Sequence, residues 1–520
     1  MSKSKALLAR GMSPSRAAAA FGAKSLIVAS VAAMPLVLWS AGARALEPIE
    51  LLGKNLFFDT SLSTPGNKQG CVSCHAPAKG WAFPDAGVNA KTVVAPGAAP
   101  HRLGDIKPPN NSYMSLAPAF QEAPGFSIPG VGPILPGFAG GNFWNGRAEG
   151  CGAAPGSKCP VPNAGDIGEL SETITPAALP LSQPGASYKK FLGATADQAL
   201  NPFPKGVEQN AGEKKVCTQV KTAKYKALYR QAYGEPINCQ DTGVHTSFQR
   251  IAVALAAYQK SEDVVPFDSK RDRALAADAD KKFPLDDTDG GIRFTNQENL
   301  GHDLFYGIES ELNKKRDVFG DGIAVVPNAN CSACHNGQPN TLEGFAPSDT
   351  DGTKKFQVYT DFKYHHIGVP FNREIPGVAK GKKKGLADHV VNTALVESGF
   401  FKTPTVRNVA KGLAANGKGK AFTHNGYFKS LETLVHFYNT RDKKPACAIA
   451  SNPNPTEEEA LANNCWPKPE FDNNLAAGKL APPGGRGGIP VGDLGLTKNE
   501  ELAVVAYLKT LSDISTASAP

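Results

Sequence analysis

The stretch CVSCH, Cys71 to His75, returns as CSACH, Cys331 to His335, 260 residues further along a chain of 520. Three chemistries use a Cys-x-x-Cys pair. A redox dithiol needs no adjacent histidine. A zinc site needs four ligands and usually finds them in paired knuckles. Covalent c-type haem needs both thiols, one for each vinyl group, and the histidine that follows them to reach the iron. With ten Cys and ten His in the chain, two such matches arise by chance roughly once in 70,000. The repeat therefore points to two c-type haems, through Cys71, Cys74 and His75 and through Cys331, Cys334 and His335.

Haem of this type is attached outside the cytoplasm, which leads us to expect an export signal. Lys3, Lys5, Arg10, Arg16 and Lys24 precede an apolar run from Leu26 to Trp39, and Ala43-Arg44-Ala45 supplies a small-x-small cleavage site. Pro35 interrupts the run, which is short for a spanning helix, so cleavage is expected rather than anchoring. Residues 1–45 then form a signal peptide, the location is the periplasm, and no membrane association remains after cleavage.

The formal net charge of +8 could suggest a nucleic-acid partner. It does not survive removal of the signal. Residues 1–45 hold six of the 56 basic side chains and no acid, which leaves 50 against 48, a net of +2. The run Lys380, Lys382, Lys383, Lys384 reads as a solvated loop or as a docking patch for an acidic protein. The six cysteines outside the haem motifs form an even set, as expected of disulfides in an exported protein. Pairing sequence neighbours gives Cys151–Cys159, Cys217–Cys239 and Cys447–Cys465.

About 475 mature residues exceed one ordinary core. LGKNLFFD, Leu52 to Asp59, precedes the first haem motif, and LGHDLFYG, Leu300 to Gly307, the second. In each, two leucines and an aromatic fall at helical spacing. Capping boxes at Thr295–Glu298 and Thr497–Glu500 predict the start of the second of these helices and of a last one to Leu511. A further helix is predicted over His245 to Ser261. Few segments alternate at period two, and 53 Gly and 41 Pro imply long loops. The expected fold is mainly α and loop-rich, with two cytochrome c-like haem domains related by a pseudo-repeat, over 46–275 and 276–520.

LGKNLFFDTSLS, CVSCH, NFWNGRA, LGHDLF with CSACH, KTPTVRNVA and SLETLVHFYN occur in the order found in bacterial di-haem cytochrome c peroxidases and their MauG relatives, and the chain resembles that family over nearly its whole mature length. The resemblance implies hydrogen peroxide as substrate. It also implies a distal group of Gln198, Pro202 and Glu208 at the first haem, spaced as in DQALNPFPKGVEQ, with Glu208 as acid and base and Gln198 holding it. Trp144 matches the tryptophan lying between the haems. The far-side ligand of the second haem falls on Tyr438, where donor-driven peroxidases carry methionine; His436 and Tyr427 are nearby competitors. A phenolate is hard and favours oxidised iron, so a tyrosine there suits storage of an oxidising equivalent, as in the MauG branch.

Two departures stand out. Ala329 occupies the place of a MauG tryptophan on the route to its protein substrate, which speaks against maturation of a partner by that route. The family's calcium site loses one ligand to Lys107-Pro108-Pro109, leaving the carbonyls of Lys402 and Pro404. Two other readings stay open: a peroxidase fed by reduced cytochrome c, and a di-haem electron carrier without peroxide chemistry. The partner implied is a small cytochrome c or cupredoxin donor, or an oxidisable substrate.

Overall fold

The structure, a computed structural model, describes residues 45–123, 126–128, 132–134, 137–150, 190–286, 291–337, 349–377, 382–393, 396–448, 454–472 and 491–520. The expected signal peptide, the Cys151–Cys159 pair and Lys380 lie outside these residues. Residues from Ala45 onward form one compact unit.

The fold is mainly helical. The helix Pro48–Phe58 begins with proline in its first turn and a capping box from Glu47 to Glu50, and it buries Leu52, Leu56 and Phe57. Those three positions are the apolar face read from LGKNLFFD. They pack against the 17-residue helix Gly243–Gln259. The second half repeats the arrangement. The helix Asn296–Tyr306 starts at the Thr295–Glu298 capping box, Lys498–Thr510 starts at Thr497–Glu500, and the two pack together.

Glycine decides how closely each pair crosses. A Cβ on Gly53 would overlap the carbonyl oxygen of Ala254 and press on Tyr258, and a Cβ on Gly301 would overlap that of Ala503 and press on Tyr507. The Gly of LGKNLFF and the Gly of LGHDLFY are thus the same device used twice, a hydrogen atom where one backbone rests on another. Gly301→Val is expected to cost about 3 kcal/mol by forcing the helices apart, read as a lowered thermal midpoint. An unchanged midpoint would mean that this contact does not hold the helices.

Two hydrophobic cores follow. One gathers Leu56, Phe203, Phe248 and Leu255 with Val358 and Phe362 from the second half, and the other gathers Leu304, Phe305, Phe437 and Val504. The helix Lys270–Ala277 packs into the second core through Ala274 and Leu275. Four two-stranded antiparallel ribbons are the sheet content of the described residues. In one, Tyr364–His365 pairs with Phe401–Lys402, opposing Tyr364 to Lys402. Disulfides Cys217–Cys239 and Cys447–Cys465 form as expected, and Cys71, Cys74, Cys331 and Cys334 stay unpaired. No helix of the described residues is long and apolar enough to cross a membrane.

The halves are tied through buried polar groups. The Tyr113 hydroxyl meets Asp513 at 2.9 Å, and Asn408 reaches the same carboxylate at 2.7 Å. Within the second core, Arg407 holds the helix Lys270–Ala277 by two bonds to Asp272, at 2.7 and 2.9 Å.

Candidate functional site

Each Cys-x-x-Cys-His segment folds as one 3-10 turn, Cys71–Ser73 and Cys331–Ala333, with the histidine N–H bonded back to the first cysteine carbonyl at 2.9 and 2.8 Å. The turn brings two thiols and an imidazole to one wall of a cavity. Burial pushes the thiols of Cys71, Cys74 and Cys331 up to about 12. Burial also holds His75 down at about 4, against the opposing influence of the Trp81 and Pro109 carbonyls, and lowers His335. Both rings are therefore neutral at pH 7, the state in which imidazole binds iron. The His335 Nδ1 lies 3.3 Å from the Tyr359 carbonyl, which leaves Nε2 for a metal.

The first cavity is mixed, with Phe57, Phe203 and Leu255 among its apolar walls and Lys107, Arg147 and Glu208 among its polar ones. Gln198, from the end of the helix Ala194–Leu200, joins Pro202 and Glu208 from the following loop, and all three share this cavity with Cys71, Cys74 and His75. Burial raises the pKa of Glu208; the cations of Lys205 and Arg147 oppose this and Asp105 adds to it. The carboxyl thus retains a proton more readily than an exposed glutamate. Sequence reasoning missed Gln209, 4 % exposed, whose amide lies 3.8 Å from the Cys71 sulfur. Its adjacency to Glu208 was the only available signal.

The second cavity is predominantly apolar, with Phe305, Leu431, Leu434, Val504 and Leu508 among its walls. Tyr438 projects into it from the helix Leu431–Thr440. Burial raises the Tyr438 pKa, the charges of Cys334 and Cys331 add to the rise, and Arg441 opposes it. A phenolate at this position thus needs a metal cation to exist. The two competing residues turn elsewhere. His436 bonds to Glu501 at 2.7 Å, and the Tyr427 hydroxyl donates to the Pro455 carbonyl at 3.1 Å. Ala329 also lines this cavity.

Trp144 borders both cavities, as does Phe401. Its indole N–H donates to the Lys107 carbonyl at 2.7 Å, and its ring meets His424 edge-on, 6.4 Å between centroids. Calcium was expected at the carbonyls of Lys402 and Pro404. That of Pro404 faces the His335 ring, and Lys402 sits in the ribbon opposite Tyr364 with its ammonium directed at Gly141 and Asn142. Among the described residues, one group of metal-type side chains converges, namely Cys334, Asp361 and His365, and its thiol belongs to the haem motif.

The residues present fit two c-type haems: each cavity offers a free thiol pair, a neutral buried histidine and apolar walls of the kind that cover a porphyrin. The family model described as "Di-haem cytochrome c peroxidase" matches residues 47–280. The methylamine utilization protein MauG of Paracoccus denitrificans (strain Pd 1222) is 27% identical over 481 residues, covering 90% of this chain and 89% of that protein. The crystal structure of the diheme peroxidase BthA from Burkholderia thailandensis E264 superposes with a TM-score of 0.56 at 22% identity, over 92% of this chain and 91% of the other. A tyrosine-to-methionine variant of the same enzyme superposes at 0.55, also at 22% identity, over 92% of each chain. These superpositions show a shared fold. With the repeated haem motif and the paired cavities, residues 47–280 match the di-haem cytochrome c peroxidase family, and the chain as a whole is similar to MauG.

Proposed function

We propose that the protein is an exported peroxidase that reduces hydrogen peroxide at the first cavity and stores or relays the oxidising equivalents through the second, in the manner of the MauG branch. The observation that carries this reading is the convergence of Gln198, Pro202 and Glu208 on the cavity of Cys71, Cys74 and His75, with Trp144 bordering that cavity and the next. When bound, the haem of the first cavity supplies the peroxide-binding iron and the electrons of the first reduction.

Glu208 accepts the proton of the inner peroxide oxygen and returns it to the outer one, which leaves as water. Overall, peroxide takes up two electrons and two protons and gives two waters. A carboxyl whose pKa burial raises is a stronger base for that first proton than an exposed glutamate. Gln198 orients it by hydrogen bonding, and Pro202 presents no N–H to compete for peroxide. Tyr438 supplies the far-side oxygen ligand of the second haem, and Trp144 carries charge between the two cavities. Electrons to restore the resting protein come from a periplasmic cytochrome c or cupredoxin, or from an oxidisable substrate. Residues 1–45 direct export, and the haem domains divide near residue 275.

Mass spectrometry of the mature protein tests the foundation: the expected mass excess is that of two haems, with peptides modified at Cys71/Cys74 and Cys331/Cys334. An excess of one haem or none removes the proposed mechanism.

A further inference from the structure

Two lysines hold the tryptophan between the cavities. The Lys107 carbonyl accepts the Trp144 indole N–H at 2.7 Å, and the Lys402 backbone N–H donates to the Trp144 carbonyl at 3.0 Å. Both lysines are buried, 8 % and 3 % exposed. Their ammonium groups meet only neutral oxygens: the Pro108 carbonyl at 3.2 Å for Lys107, and the Gly141 carbonyl with Asn142 Oδ1, the latter at 3.1 Å, for Lys402. Among the described residues no carboxylate pairs with either, and burial brings Lys107 down to about 8 and Lys402 to about 7.

An ammonium buried without a counter-charge is costly, and proteins keep one where a partner is to come. Lys107 lines the first cavity and Lys402 the second. The cofactor that fits each cavity carries carboxylates on its propionate arms. Its porphyrin matches the apolar walls, but its charges need cations, and these two lysines lack an anion.

We propose that Lys107 and Lys402 are built-in counter-cations for the haem propionates beside Trp144, one lysine per haem, in place of a bound metal ion. The proposal rests on the two-haem reading. The Lys107 ammonium also lies 5.9 Å from the centre of the Trp144 ring. A fixed positive charge there disfavours loss of an electron both from the indole and from the adjacent iron. The lysines therefore act as positioning residues that set potentials in the seam.

The test is spectroelectrochemical titration of the haem-loaded full chain, with Lys107→Met, Lys107→Arg and Lys402→Met alongside, each with and without EDTA. Lys107→Met is expected to lower the first haem's midpoint, shifting its ferrous-to-ferric ratio at fixed potential by on the order of tenfold. Lys107→Arg is expected to restore it. Lys402→Met is expected to do the same to the second haem, and EDTA to leave the wild-type midpoints in place. Midpoints unchanged in Lys107→Met and Lys402→Met would overturn the proposal, as would a wild-type midpoint that EDTA lowers. Should Lys402→Met fail to load haem, the two Lys107 variants decide the matter. No peroxide enters the titration, so failure of the peroxidase reading leaves this result standing.

Discussion

Glu208→Ala leaves both haems attached and slows peroxide cleavage by about 10²-fold or more, the usual worth of a positioned acid/base. The substitution removes the one carboxyl among the three distal residues that meet in the first cavity, while Gln198 and Pro202 remain. Stopped-flow mixing with peroxide reads the step directly. The pH dependence sharpens it. Burial raises the Glu208 pKa above its ordinary 4.5, and the carboxylate is the form that takes the first proton. The wild-type rate should therefore climb with pH through a limb displaced upward from that value, and Glu208→Gln should flatten the limb as well as lower the rate. A rate equal to wild type in Glu208→Ala would remove Glu208 from the mechanism and leave Gln198 or a water as proton carrier.

Tyr438→Met separates storage of an oxidising equivalent from ordinary relay. The helix Leu431–Thr440 aims Tyr438 into the second cavity, and His436 is held away by Glu501. Replacing a hard anionic oxygen with a soft thioether should raise the second haem's potential by on the order of 0.1 V or more. Turnover with reduced cytochrome c should improve, and the two-equivalent oxidised protein should decay faster. The EPR spectrum of the ferric wild type should contain one high-spin haem, from the His75 site, and one low-spin haem of His/Tyr character. Redox titration decides. An unchanged potential would show that Tyr438 is not a ligand.

Much of this architecture was legible because haem attachment and helix starts are local. Cys71–His75 and Cys331–His335 are contiguous, and the capping boxes at Thr295 and Thr497 lie within four residues of the turns they satisfy. The last predicted helix, from Glu500 to Leu511, is Lys498–Thr510 in the structure, because the helix starts one position after its cap Thr497, two positions before the glutamate. The disulfides Cys217–Cys239 and Cys447–Cys465 were legible for the same reason of proximity. What was hidden is non-local. That Gly53 and Gly301 accept a backbone carbonyl shows only when Ala254 and Ala503 arrive from some 200 residues away. The choice between Tyr438 and His436 depended on which way one helix is turned by its packing on Lys498–Thr510. Lys107 in the sequence is a lost calcium ligand, and only its burial against Trp144 reveals an unmatched cation. Gln209 offered only its adjacency to Glu208.

The glycine crossings also bear on the order in which the protein matures. The first crossing joins residues 53 and 254, and the second joins 301 and 503. Synthesis delivers a chain from its N-terminal side, and domains fold as units as they emerge. The Cys71–His75 turn, its Gln198–Glu208 wall and the helix Gly243–Gln259 can thus meet before the second half arrives, which adds Lys383, Asp388 and Phe401 to the same cavity. The second cavity has no such head start, because Tyr438, Val504 and Leu508 all come from its distal third. Asp513, gripped by Tyr113 and Asn408, then joins the finished halves. The turn at Cys71 and Cys74 thus meets most of its cavity within residues 57–259, whereas the one at Cys331 and Cys334 waits for residues 363–508.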